Sequence, residues 1–270
     1  MIPDQQIERW LQEDLGHHDV TNQVPGTTGG RLVAKADGVV AGLDAAEAVF
    51  QYLDVSVEAS HGDGNRIQAG ETVLEVEGPA SAVLRGERVA VNIAGHASGI
   101  ATKTREAVDA ARTVSDDVAI AGTRKTTPGL RGIEKRAVVA GGGDTHRLDL
   151  SHMVMIKDNH IEEMGMDDAV AHFEERVSFA TQIEVEVERP ADGKRAAEAG
   201  ADIILFDNLS PEETERGVDL LPEGTLAEAS GGIMVAEVPA YADTGVDVIS
   251  MGSLTHSAET LDYSFRTGGG

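Results

Sequence analysis

The sequence predicts an α/β chain in two parts, a mixed α+β module followed by a partial β/α barrel. Three observations carry this. Between residues 118 and 251, short apolar runs alternate with helical segments, the rhythm of a parallel sheet or barrel. Before about residue 95 the order is irregular, with helix, strands and glycine turns mixed. The whole chain has 270 residues, too few for eight βα units in addition to such a module.

In order, Pro3 and Asp4 open a helix with Ile7, Trp10, Leu11 and Leu15 on one face, and Gly16 is placed to end it. A polar loop, Glu13–Thr21, follows. Its His17-His18-Asp19 admits a metal site, but adjacent histidines diverge and no further ligand is evident, so a solvated loop is the simpler expectation. A strand is expected over Arg31–Gly42 and a helix over Ala45–Leu53. Strands at Val55–Ser60 and Glu71–Glu77 flank the turn His61–Asn65, with Gly64, Gly70 and Gly78 as turn residues. Pro79 opens a helix to about Ile93. Gly95-His96-Ala97-Ser98-Gly99 then breaks the pattern before a second helix to about Arg112. The domain boundary is placed at that break, giving residues 1–97 and 98–253.

The barrel strands are expected at Val118–Gly122, Met153–Ile156, Ile183–Val187, Ile203–Phe206, Leu226–Ala229 and Val248–Met251. Helices are expected at Asp168–Phe179, Ala191–Ala199, Pro211–Val218 and Val235–Asp243. The trailing Gly268-Gly269-Gly270 reads as a frayed end.

Composition narrows the function. With 22 basic and 47 acidic residues the net charge is -25, which repels nucleic acid. The lack of cysteine excludes disulfides and thiolate metal sites and fits a reducing cytoplasm. No signal peptide or membrane span is visible. Acid excess with only six lysines points to adaptation to high salt, where screening removes self-repulsion. The melting temperature is therefore expected to rise from low to molar salt; a flat or falling trend would give the acidity another purpose.

One stretch reverses the balance. Gly122–His160 holds Arg124, Lys125, Arg131, Lys135, Arg136, Arg147 and Lys157 against Glu134, Asp144, Asp149 and Asp158. That is either a surface patch balanced by acidic neighbours or a site for a polyanionic small molecule; interleaved Thr, Gly and His favour the site. The residues after the strand ends are Thr123–Thr126, Lys157–His160, Glu186 with Glu188, Asp207-Asn208, Ser230-Gly231-Gly232 and Gly252-Ser253. In a βα barrel such ends share one rim.

Arg124, Lys125, His146, Arg147 and Lys157 suit carboxylates. Glu184, Glu186 and Glu188 alternate on one face of their strand, either the barrel interior or an acidic outer face. Asp207 follows a continuous apolar run and suits Mg²⁺ or a ribose hydroxyl. The Ser230–Gly232 and Gly252-Ser253 turns offer backbone N–H groups to phosphate. Gly141-Gly142-Gly143 either joins them or ends a helix.

The same residues carry a family resemblance. Thr123–Arg131, His146-Arg147 and Lys157–His160 resemble quinolinate phosphoribosyltransferase, also called carboxylating nicotinate-nucleotide pyrophosphorylase. So do Glu13-Asp14 with Asp19–Thr21, Glu87–Asn92, Ser98–Thr102, Glu184–Val187, Asp207-Asn208, Glu228–Gly232 and Ser250–His256. The resemblance implies an N-terminal α/β sandwich domain over 1–97, completed by 254–270, and an incomplete barrel of about seven strands over 98–253. It implies phosphoribosyl transfer from phosphoribosyl pyrophosphate to quinolinate with loss of CO₂, for NAD biosynthesis, and a homodimer with shared sites.

Arg88 of the neighbouring chain, Arg124, Lys125, His146, Arg147 and Lys157 would then hold quinolinate. Glu186 and Asp207 would face ribose and Mg²⁺, and Ser230, Gly231, Gly232, Gly252, Ser253 and His256 the phosphate. Lys125, Lys157, Glu186 and Asp207 would be catalytic. Gly122, Thr145 and His18 depart from the family's usual Asp, Asn and Gly. Two alternatives stand beside this, a paralogous pyrophosphorylase acting on another base, and a barrel aldolase with Lys157 as Schiff-base lysine.

Overall fold

The structure is a computed structural model that describes residues 2–268, so of the trailing glycines Gly269 and Gly270 lie outside it. The first helix is α1 (Asp4–Leu15), which buries Ile7 and Leu11 and ends on Gly16 at φ 60°. Next come β1 (Thr27–Ala34), β2 (Gly38–Val39), α2 (Leu43–Tyr52), β3 (Ser56–Ala59), β4 (Arg66–Ile67), β5 (Thr72–Pro79) and α3 (Ala80–Ala111). The strand expected over Arg31–Gly42 is thus two strands, because residues 35–37 turn and β2 leaves to pair with β4. Gly78 lies inside β5, not in a turn, where a side chain would press on Val55. Asp19 of the His-His-Asp loop takes the N–H groups of Thr21 and Asn22 and the Nε of Arg85 at 2.8 Å. The Asn22 N–H, then Arg85, hold its carboxyl well below the usual range, so this loop is a turn anchored by an ion pair.

The break expected at Gly95–Gly99 does not exist. Helix α3 runs unbroken for 32 residues. Its glycines serve close approach: a Cβ on Gly99 would collide with the backbone carbonyl of Glu259, and Leu261 N–H donates to the Gly95 carbonyl at 3.0 Å. A helix of this length tolerates the propensity cost of Gly95 and Gly99 when they let another chain segment pack against its backbone. Among the described residues no helix is long and apolar enough to cross a membrane.

The second half has β6 (Ala119–Ala121), α4 (Arg131–Ala140), β7 (Val154–Ile156), α5 (Asp158–Met164), α6 (Met166–Glu174) and β8 (Ile183–Val187). It continues with α7 (Pro190–Glu198), β9 (Ile203–Asp207), α8 (Pro211–Val218), β10 (Leu226–Ser230), α9 (Val238–Ala242), β11 (Val248–Ser250), α10 (Ser253–His256) and β12 (Tyr263–Thr267). A 3₁₀ turn at Val235–Glu237 precedes α9, because Pro239 breaks the helix expected over Val235–Asp243.

These elements form two units. One comprises the chain up to Arg105, Gly129–Gly142 and the residues from Ala258; the other comprises Glu106–Pro128 and Gly143–Ser257. Residues 98–105 and 129–142 therefore go with the first unit, and 254–257 with the second. In the first, β12-β1-β5-β3 form an antiparallel sheet with Leu32 opposite both Leu74 and Phe265. Leu32, Leu74 and Phe50 are fully buried, and Phe50 stacks on Phe265 with ring centroids 5.8 Å apart. Burying each such side chain contributes about 1.5–3 kcal/mol.

In the second unit all six strands are parallel, in the order β6-β11-β10-β9-β8-β7. That order is sequential apart from the contact of the first strand with the last, as in a β/α barrel opened between β6 and β7. At the opening, Asp144 makes a single parallel bridge to Ala121, with Asp144 N–H on the Ile120 carbonyl at 2.7 Å and Gly122 N–H on the Asp144 carbonyl at 2.9 Å. The sheet has six strands, and this single bridge is its only continuation beyond β6 among the described residues. Ile203-Ile204-Leu205-Phe206 are all buried, as in a strand covered on both faces.

Candidate active site

Because the sheet is parallel, the C-terminal ends of β6 to β11 share one edge. A cavity of about 370 Å³ in the second unit is lined by Arg124, Arg147, Lys157 and His160, with Phe173 and Val177 as apolar wall. Arg124 follows β6, Arg147 precedes β7, and Lys157 and His160 follow it. Arg147 is only 8% exposed; its Nη2 donates to Met155 Sδ at 2.9 Å, and its Nε, like that of Arg124, is buried without a hydrogen-bond partner. Two arginines lining one cavity, each with a buried Nε that lacks a hydrogen-bond partner, suit an anion. A larger concavity of about 550 Å³ lies on the sheet of the first unit, between Arg31, Arg266, Glu58, Glu75 and Glu77. Its charges are of mixed sign, whereas the smaller cavity gathers Arg124, Arg147 and Lys157, so the smaller is the candidate for an anion.

Lys157 Nζ pairs with Glu186. Asp207, ending β9, accepts from Asn208 Nδ2 at 2.6 Å, and Ser230 lies opposite it in register on β10. Gly231 has φ 104° and its backbone lies against Asn208, where any side chain would collide. Lys125 is not in the cavity lining. It lies against Gly252, which also neighbours Thr123 and His256, and Thr255 Oγ1 donates to its carbonyl at 2.6 Å. His256 is exposed, with Nδ1 2.6 Å from Ser257 Oγ; Ser253 opens α10 beside Gly252.

Beneath the rim, His146 Nε2 lies 2.9 Å from Glu228 Oε2 and 3.7 Å from Glu184 Oε2. Both carboxylates are buried, at 1% and 0% exposure. Burial, then the charge of Glu228, push Glu184 up to about 8, against the pull of His146 and Arg147. The folded chain thus keeps a proton there that the unfolded chain loses above the ordinary value of 4.5. Stability from this group is full below that value and is lost as pH rises through about 8. Glu184→Gln is therefore expected to gain melting temperature relative to wild type as pH rises across this window. A difference that does not change with pH would mean Glu184 is ionised throughout.

Two family models match the chain. One, described as quinolinate phosphoribosyl transferase, N-terminal domain, matches residues 19–98; the other, described as its C-terminal domain, matches 100–266. The chain belongs to the quinolinate phosphoribosyltransferase family. It is 44% identical over 273 residues to the probable nicotinate-nucleotide pyrophosphorylase (carboxylating) of Methanothermobacter thermautotrophicus, covering 97% of this chain and 98% of that protein. It is 39% identical to the nicotinate-nucleotide pyrophosphorylase (carboxylating) of Homo sapiens, covering 96% and 90%. Among solved structures, NadC from Streptococcus pyogenes has a TM-score of 0.92 at 38% identity, over 98% of this chain and 96% of that one.

Of the residues the sequence singled out, this member of the quinolinate phosphoribosyltransferase family brings Arg124, Arg147 and Lys157 to one cavity, with His146 and Glu186 joined to that set through Glu184, Glu228 and Lys157. Asp207, Ser230, Gly231, Gly232, Gly252, Ser253, Lys125 and His256 gather along the same sheet edge. Arg88 lies on α3 in the first unit, 3.7 Å from Glu87 Oε1 and mostly exposed. Arg131, Lys135 and Arg136 leave the cationic stretch altogether: they sit on α4 in the first unit, where Arg136 approaches Asp44 at 3.5 Å. Glu188 is exposed, whereas Glu184 faces the interior. His160 and Glu228 were not singled out as site residues. His160 had a signal, since it closes the Lys157–His160 motif and its Nδ1 accepts the Lys157 N–H at 3.1 Å.

Proposed function

We propose that the chain transfers the phosphoribosyl group of phosphoribosyl pyrophosphate to quinolinate, with release of pyrophosphate and CO₂, giving nicotinate mononucleotide for NAD biosynthesis. The observation that carries this is the cavity lined by Arg124, Arg147 and Lys157, where the Nε of both arginines is buried without a hydrogen-bond partner. Quinolinate brings two carboxylates on adjacent ring carbons; Arg124, Arg147, Lys157 and His146 supply donors for both. Arg88 of a partner subunit would close the pocket in a homodimer.

Phosphoribosyl pyrophosphate fits the neighbouring rim, with Glu186 and Asp207 at the ribose. Backbone N–H groups of Gly231, Gly232 and Ser253, with Ser230, Lys125, Gly252 and His256, take the phosphates. Lys157 and Glu186 neutralise each other before substrate arrives; a quinolinate carboxylate at Lys157 would release Glu186 toward the ribose. The same pairing engages Lys157 in an ion pair with Glu186, whereas a Schiff-base lysine needs a free amine, which argues against the aldolase.

In the reaction the ring nitrogen forms a bond to ribose C1 as the bond from C1 to the pyrophosphate oxygen breaks, its electron pair leaving with pyrophosphate. Positive charge building at C1 is offset by Glu186 and Asp207. The bond to the 2-carboxylate then breaks, CO₂ departs, the electron pair stays at ring C2 next to the cationic nitrogen, and a proton replaces it. Glu186 and Asp207 also fit Mg²⁺: they are two hard carboxylates, and this ion is held by one or two of these together with substrate phosphates and water. When bound, Mg²⁺ would offset the charge of the leaving pyrophosphate.

The test is to supply quinolinate, phosphoribosyl pyrophosphate and Mg²⁺ and measure pyrophosphate and CO₂. Equal amounts of the two products are expected, with nicotinate, one carboxylate short, bound far more weakly. Pyrophosphate without CO₂, or equal affinity for the two acids, would move the chain to a paralogous pyrophosphorylase with another base.

A further inference from the structure

His160 lines the cationic cavity and closes the Lys157–His160 motif, but the reaction as derived above gives it no part. Its ring is held at two places. Nδ1 accepts the backbone N–H of Lys157 at 3.1 Å, and Phe173 meets the ring edge-on, with centroids 6.2 Å apart and planes at 75°. Among the described residues the side chain makes no other hydrogen bond or ion pair.

The contact at Nδ1 decides the tautomer. A nitrogen that accepts a hydrogen bond carries no proton, so the neutral ring holds its one proton on Nε2. With Nδ1 taken, any hydrogen bond from this ring to an occupant of the cavity is donated by Nε2–H. The charged residues of the cavity lining, Arg124, Arg147 and Lys157, are all cations. A fourth cation would add repulsion to the empty cavity, whereas an imidazole N–H adds a bond to an anion without adding charge. Phe173, which holds the ring, and Val177 make part of the lining apolar, and a hydrogen bond is stronger in such surroundings.

We propose that His160 is a further substrate-binding residue, a neutral donor whose Nε2–H is given to a carboxylate of the pyridine substrate. The proposal rests on the reading that this cavity takes quinolinate. The competing role, fastening the start of α5 to Lys157, uses the Nδ1 bond alone and leaves Nε2 to water.

Two substitutions separate these roles, because each keeps one end of the ring. His160→Asn keeps a polar atom at the place of Nδ1 and can still accept the Lys157 N–H, but has nothing at the place of Nε2. His160→Gln brings an amide N–H to the place of Nε2 and lacks the acceptor at Nδ1. The experiment measures the quinolinate Kd by calorimetry, the KM for phosphoribosyl pyrophosphate, the melting temperature, and the side-chain nitrogen resonances of isotope-labelled histidine by NMR. His160→Asn is expected to weaken quinolinate about 10- to 100-fold, the effect of losing one hydrogen bond to a charged group. Its KM for phosphoribosyl pyrophosphate and its melting temperature should hold. His160→Gln should bind quinolinate more tightly than His160→Asn although it melts lower. In the wild type, the ring resonances missing from both variants should place the proton on Nε2, and quinolinate should shift that N–H.

Wild-type affinity in His160→Asn, a loss that falls on phosphoribosyl pyrophosphate instead, a His160 proton on Nδ1, or an Nε2–H resonance that quinolinate leaves unmoved would each overturn the proposal. So would weaker quinolinate binding in His160→Gln than in His160→Asn, the order that a purely structural role requires. If His160→Asn does not fold, the wild-type resonances still decide. A wild type that makes pyrophosphate and CO₂ from quinolinate while His160→Asn binds it normally removes His160 alone, whereas a wild type that does not bind quinolinate removes the reading beneath it as well.

Discussion

Arg147→Ala is expected to raise the KM for quinolinate by two to three orders of magnitude, since truncating one partner of a desolvated charge pair costs about 2–5 kcal/mol. Arg147 is 8% exposed and lines the cavity with an Nε that has no hydrogen-bond partner. Its charge also acts on Glu184, Glu186 and Glu228. The alanine variant should therefore also lose melting temperature, because buried carboxylates are left with less positive charge. Arg147→Lys is not expected to rescue binding: an ammonium cannot present two parallel donors to one carboxylate. The check is a pair of KM values, with that for phosphoribosyl pyrophosphate as reference. A quinolinate KM at the wild-type value would remove Arg147 from the substrate site.

The parallel sheet was readable because strands covered on both faces appear as unbroken apolar runs, as in Ile203-Ile204-Leu205-Phe206. Helix α8 was readable for local reasons as well. Ser210 caps it, Glu213 returns the capping bond, and Pro211 takes the first turn. Helix α4 was hidden because its buried face carries Glu134 and Lys135 next to Ile133, Ala137 and Val138, which breaks the apolar period. Glu134 meets His96 Nε2 at 2.9 Å, a pairing 38 residues apart that periodicity cannot show.

Glycines misled in the opposite direction. Gly95 and Gly99 signal a break when only the local chain is considered, but their use is set by Glu259–Leu261, far along the sequence. At the site, the cations that follow strand ends were legible, since each strand end is a local feature. The pair Glu184 and Glu228 was not. They come from strands separated by β9, and only the folded sheet brings both to His146.

Arg88 separates a pocket made by one chain from a pocket shared by two. It stands exposed on α3, with Glu87 Oε1 3.7 Å away as a weak neighbour, and nothing in its own helix requires its charge. If it completes the quinolinate pocket of a partner subunit, Arg88→Ala and Lys125→Ala should each be nearly inactive alone. In a mixed dimer one pocket collects both substitutions and the other neither. After random exchange about half the dimers are mixed, each with one intact pocket, so about a quarter of wild-type activity should return. Exchange is followed independently, by mass spectrometry of differently labelled chains. If mixed dimers form and activity stays at the level of the single variants, Arg88 acts within its own chain and the shared pocket is wrong. If the protein runs as a monomer while the wild type turns over quinolinate, the pocket is complete without a partner.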